Sequence, residues 1–155
     1  MRQTLVSWLV EVHTKFGLLS ETLYIAVNMI DRYCNVRHVP RSEYQLLGIT
    51  ALFTAAKYEE ILVPKLEEFV DISANTYTAQ QLLYQEYHLL SALNFDLNIP
   101  TMYRFAERYA NIASVDKRTL YLANYLCELS LVESRMLKWS PSRIASAAIY
   151  LSLKM

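Results

Sequence analysis

The sequence predicts an all-α protein, on three observations. Only two glycines and four prolines punctuate the 155 residues, too few for the turns of an all-β chain. Leu, Ala, Glu and Gln supply strong helix formers along the whole length. Apolar residues recur at helical spacing in one segment after another. At 54% hydrophobic residues the chain can bury a real core, which excludes a disordered tail, and its length suits one or two domains.

The elements follow in order. Met1, Leu5, Trp8, Leu9, Val12 and Phe16 share one face of a first helix, which Gly17 can end. Ser20 is the expected N-cap of a second helix, with Leu23, Ala26, Val27, Ile30 and Cys34 on one face, before residues 36–40 break the pattern. Ser42 or Arg41 opens a third, running to about Lys57. In it Gly48, Ala51, Ala55 and Ala56 interleave with Leu46, Leu47, Ile49, Leu52 and Phe53. A helix apolar nearly all round, with small residues that admit close neighbours, belongs at the centre of a bundle.

Pro64 suits the first turn of a short fourth helix over 65–70. Thr78, with Gln81 three residues on, is a capping-box signature for a fifth that runs to about Leu93. Asn98 and Pro100 start a sixth through Tyr109, and Asp116 caps a seventh to about Glu133. Ser140 and Pro141 open an eighth that reaches Met155. Every connection is short, so a domain boundary falls tightly near 96–98.

The chain also repeats itself. Residues 22–26, TLYIA, recur at 119–123 as TLYLA, an offset of 97. The same shift sets Trp8 on Phe105, Val12 on Tyr109, Ala51 on Ala148, Phe53 on Tyr150 and Lys57 on Lys154, with no gap. Two similar helical bundles are therefore expected. Residues 1–97 hold five helices around a central one, and residues 98–155 hold three of a second five, truncated at the C-terminus. The first helix starts at residue 1 with no capping residue before it, which points to truncation at the N-terminus as well.

Chemistry-bearing motifs are sparse. Fifteen Lys plus Arg balance fifteen Asp plus Glu, without the surplus cations of a dedicated nucleic-acid binder. Cys34 and Cys127 show no CxxC spacing, and His13, His38 and His88 show no HExxH, so neither a metal site nor a disulfide framework is indicated. Phosphate-cradling and nucleophile-elbow loops need glycines that the chain lacks. The longest apolar run, 46–56, is well short of the ~20 residues of a membrane-spanning helix. No secretory leader pattern opens the sequence. We expect no catalysis, cofactor, metal, nucleic acid or membrane contact, an intracellular setting, and a solvated surface at Glu59–Glu60.

A few residues break the core pattern. Glu86 lies near the centre of the apolar arc of Leu82, Leu83, Leu89, Leu90 and Leu93, where a carboxylate needs a cation or several donors. Lys57 is its candidate partner. Either the two satisfy each other internally, or they sit at the rim of an interface and offer charge to another chain. Arg2 falls within the apolar sector of the first helix and Asp31 borders that of the second, which suits a structural ion pair. The face bearing Met1, Leu5 and Trp8 can stay half-exposed as a docking groove.

Residues 1–12, MRQTLVSWLVEV, resemble the opening of the cyclin box, and 56–60, AKYEE, resemble its second signature. ETL at 21–23, IDRY at 30–33, NTYT at 75–78 and ALNF at 92–95 continue the likeness in order across nearly the whole chain. It looks most like a mitotic cyclin of the B type, with the A type as the nearer alternative. The resemblance implies tandem five-helix cyclin folds and a noncatalytic subunit that binds and activates a cyclin-dependent kinase around the G2/M transition. A cyclin-fold transcription factor contacting DNA is the alternative function.

By the same resemblance, Lys57 and Glu86 bond to kinase backbone beside its regulatory helix, and Tyr58 and Leu90 pack on that helix. Met1, Leu5, Trp8, Glu11 and Gln45 match a docking patch for Arg-x-Leu peptides of substrates and inhibitors, with Glu11 meeting the Arg. Arg2 and Asp31 match an internal ion pair. Ser7 departs from the family pattern, which usually has Asp there. The implied location is nucleus and cytoplasm.

Overall fold

Eight α-helices and no strand make up the chain in a computed structural model that describes residues 1–155. They are α1 (Arg2–Phe16), α2 (Ser20–Val36), α3 (Tyr44–Glu59), α4 (Leu66–Asp71), α5 (Ala79–Ala92), α6 (Met102–Ala113), α7 (Lys117–Val132) and α8 (Pro141–Lys154). Short 3-10 turns occupy Arg41–Glu43 and Ser134–Lys138. Residues 3–99 and 100–155 form two compact units.

In the first unit α3 is the axis. Every residue from Leu47 to Ala56 is buried, as expected of a helix that is apolar all round. α2 and α5 pack along it, and α1 crosses it at Gly48. A Cβ at Gly48 would stand 2.6 Å from Leu5 Cδ1, so glycine is what lets the two helices approach. α4 has only six residues and holds its place through Phe69. That ring is fully buried, 4.9 Å from Phe16 and 5.2 Å from Phe53 between centroids. Gly17, at φ 64°, ends α1 in the left-handed conformation that glycine adopts without strain.

Three expected helix starts are corrected. Ser20 is the first helical residue of α2, and the cap position belongs to Leu19, whose side chain cannot cap. Pro64 stands outside α4, because Lys65 takes the cap position and its backbone N–H donates to Glu68 Oε2 at 2.7 Å. α6 begins at Met102, later than Asn98. Thr101 Oγ1 accepts from the Arg104 N–H at 3.2 Å, and Pro100 keeps Ile99 out of the helical region. The Thr78–Gln81 capping box and the Asp116 cap of α7 form as expected.

In the second unit α8 takes the part of α3, packed by α6 and α7. Shifting by 97 carries Ser20 onto Lys117, the first residue of α7, and Tyr44 onto Pro141, the first of α8. Ala123 and Ala148 are buried, like Ala26 and Ala51 at the matching positions. One side of α8 is open. Trp139, Leu129, Ile144 and Leu151 line an apolar groove of about 530 Å³. No helix is long and apolar enough to cross a membrane.

Candidate functional site

The last turn of α3 and the middle of α5 bring Lys57 and Glu86 together. Lys57 Nζ donates to Glu86 Oε2 at 2.6 Å. Thr54, one turn earlier on α3, places Oγ1 2.8 Å from Glu86 Oε1 and 2.9 Å from the Thr50 carbonyl, so one hydroxyl proton serves two acceptors. Glu86 is 7% exposed. Lys57 is different: 42% of its side chain meets solvent, and Nζ lies 4.6 Å from the centre of the Phe53 ring. A buried carboxylate thus holds a half-exposed ammonium at the surface, with further N–H donors available to an incoming acceptor.

The elements that hold this cation also expose apolar residues. Tyr58 is half-exposed at the end of α3, and Ile61 and Leu62 just beyond it are 96% and 87% exposed. On α5, Leu83, Tyr87 and Leu90 stand at positions i, i+4 and i+7, with Leu90 half-buried and the other two exposed. Exposed apolar side chains on elements that also carry a charge are common in protein interfaces.

A second site lies on α1. Met1, Leu5, Trp8 and Gln45 line one groove of about 320 Å³, together with Thr4, Arg41 and Tyr44. Leu5 forms buried floor, Trp8 is half-buried and Met1 is exposed. Glu11 does not line the groove; it is exposed one helical turn beyond Trp8. Burial first, and then the neighbouring Cys34 thiol, push the Tyr44 phenol above its ordinary value, so that wall stays neutral. Thr4, Arg41 and Tyr44 were missed in the sequence. Arg41 and Tyr44 flank the start of α3, and only the packing of α1 beside it makes them groove residues.

Arg2 and Asp31 are both half-buried, at the start of α1 and in the later part of α2. Glu60 is a correction. It was expected to be solvated with Glu59, yet it is half-buried and its Oε1 accepts from the Leu19 N–H at 2.7 Å and the Thr22 hydroxyl at 2.5 Å. These residues are donors, acceptors and apolar contacts, with no cluster of His, Cys, Asp and Glu able to hold a metal ion.

Two helical units, a half-exposed cation held by a buried carboxylate and a separate apolar groove define a helical protein of the bundle class. Comparison with known proteins gives the class a family. Residues 1–98 match the model of the cyclin N-terminal domain and residues 100–155 that of the cyclin C-terminal domain. The chain belongs to the cyclin family.

It is 46% identical over 150 residues to Cyclin-B2-1 of Oryza sativa subsp. japonica, covering 97% of this chain and 36% of the rice protein. It is 45% identical over 150 residues to G2/mitotic-specific cyclin-1 of Medicago sativa subsp. varia, covering 97% of this chain and 35% of that protein. The chain thus spans about a third of the length of these curated relatives. Among solved structures, a viral cyclin from herpesvirus saimiri superposes with a TM-score of 0.89 at 18% identity, covering 98% of this chain and 68% of that one. The yeast RNA Pol II CTD kinase CTDK-1 complex contains a chain that superposes with a TM-score of 0.83 at 15% identity, covering 99% of this chain and 54% of that one.

Proposed function

We propose that this chain is the kinase-binding part of a noncatalytic regulatory subunit that binds and activates a cyclin-dependent serine/threonine kinase at the G2/M transition. The observation that carries the proposal is the Glu86-held, half-exposed Lys57 on elements that also expose apolar residues. Lys57 and Glu86 bond to kinase backbone, and Tyr58 and Leu90 pack on the kinase's regulatory helix. The contact turns that helix so that its glutamate reaches the ATP-binding lysine, which shifts the kinase population toward its active state. Likeness to proteins named as G2/mitotic-specific cyclins, and to a chain in a kinase complex, supports this.

The groove of Met1, Leu5, Trp8 and Gln45 takes the Leu of an Arg-x-Leu segment from a substrate or inhibitor, and Glu11, a turn away, meets the Arg. Arg2 and Asp31 tie α1 to α2 and have no part in docking. The protein acts in nucleus and cytoplasm, where its kinase and substrates meet. Kinase assays test the proposal: adding this chain to a purified cyclin-dependent kinase raises phosphorylation of a protein substrate. A Lys57→Ala, Glu86→Ala double variant, with helical circular dichroism unchanged, does not. Activation by the double variant equal to that of the unaltered chain would show the site to be misassigned.

A further inference from the structure

α2 begins without a cap of its own. Leu19 occupies the cap position and offers no side-chain acceptor, while a helix start leaves its first backbone N–H groups unpaired. The acceptor comes from the far end of α3. Glu60 is the residue that closes α3, its own N–H donating to the Ala56 carbonyl at 2.9 Å. Its Oε1 takes the Leu19 N–H at 2.7 Å and the hydroxyl of the fully buried Thr22 at 2.5 Å. The Leu19 carbonyl lies 3.0 Å from His13 Nε2 of α1, so three helices meet at this point.

This junction stands where the α3–α4 loop leaves α3. The loop is held at its other end as well, through the Lys65 N–H and Glu68 carboxylate. Between the two anchors lie Ile61 and Leu62, at 96% and 87% exposure among the most exposed large apolar residues of the chain. A loop anchored at both ends has less conformational freedom left to lose on docking. Only Glu59 and Glu60 separate Ile61 and Leu62 from Lys57 and Tyr58 in the chain, so they stand close in sequence to the proposed docking face.

We infer that Glu60 is a positioning residue of that face: by capping α2 from the end of α3, its carboxylate fixes the loop so that Ile61 and Leu62 stand ready for docking. The inference rests on the kinase-docking function proposed above. Calorimetric titration of the 155-residue chain with a purified cyclin-dependent kinase tests it, alongside hydrogen exchange of the loop amides. Glu60→Ala is expected to keep the helical circular dichroism, speed loop exchange and weaken binding about tenfold, in line with the loss of one cap. Glu60→Gln keeps an acceptor oxygen and restores affinity to within about threefold. Glu60→Ala added to an Ile61→Ala, Leu62→Ala variant costs no further affinity, because the side chains it positions are already gone.

Unchanged affinity in Glu60→Ala, or a loss that simply adds to that of Ile61→Ala, Leu62→Ala, overturns the positioning role while leaving the docking face in place. Failure of the unaltered chain to bind the kinase overturns the docking function and the role of Glu60 in it.

Discussion

Glu86 is a carboxylate set among apolar residues of α5. A carboxylate buried with no partner at all costs several kcal/mol, but Glu86 has two partners and keeps the Thr54 hydroxyl when Lys57 is removed. Lys57 in turn depends little on Glu86. With 42% of its side chain in water, its ion pair is screened and contributes about 1 kcal/mol or less to folding. The sequence exposed Glu86 as an intruder in an apolar arc and pointed to Lys57. It hid Thr54, which sits inside an apolar run with nothing local to mark it. Glu60 was hidden for the opposite reason, because the groups it serves lie 41 and 38 residues away.

The two cysteines differ at the same scale. Cys127 is fully buried, and burial pushes its thiol up to about 11, while Cys34 is half-buried. The folded state therefore favours the protonated Cys127 thiol, and its stabilising effect is lost as pH rises from the ordinary thiol value through about 11. At pH 8 a disulfide reagent should label the half-buried Cys34 and react with Cys127 about 100-fold more slowly than with an ordinary thiol, in line with its rise to about 11. Equal labelling of both in the folded chain, read by mass spectrometry, would contradict that burial.

Among elements, the starts of α5 and α7 were legible from their local caps and the start of α2 was not. Thr78 with Gln81, and Asp116, lie within three residues of the N–H groups they satisfy, so sequence spacing displayed both. α2 is capped through tertiary structure, and α6 by Thr101, one residue past a proline that drew attention to itself. The crossing of α1 and α3 is set by Gly48. Gly48→Ala gains about 1 kcal/mol of helix propensity but overpacks Leu5, at about 1–3 kcal/mol, so a net loss of about 1 kcal/mol is expected in urea unfolding. Leu5 also lines the α1 groove, so the variant should bind an Arg-x-Leu peptide more weakly, measured by Trp8 fluorescence. Unchanged stability and peptide affinity would mean that Leu5 yields without cost.

For the whole molecule, the 97-residue repeat was the most informative sequence feature, because it located matching elements that no single motif identifies. The shift aligns the starts of α2 with α7 and of α3 with α8, and it sets the central α3 against α8. The two copies differ in cover. In the first unit the face of α3 is closed by α5, whereas in the second Leu151 and Tyr150 of α8 remain half-exposed or more. The repeat counted five helices in residues 1–97 and three in residues 98–155, so this difference in cover was legible.

The central claim is that the Lys57–Glu86 pair serves a partner more than it serves the fold. A double-mutant cycle on the two residues tests it most directly, with folding stability measured in urea and kinase affinity by calorimetry. The expected result is a coupling in folding of about 1 kcal/mol or less, with each alanine variant weakening kinase binding about tenfold or more. Unchanged kinase affinity in every variant, with the coupling confined to folding, would contradict it.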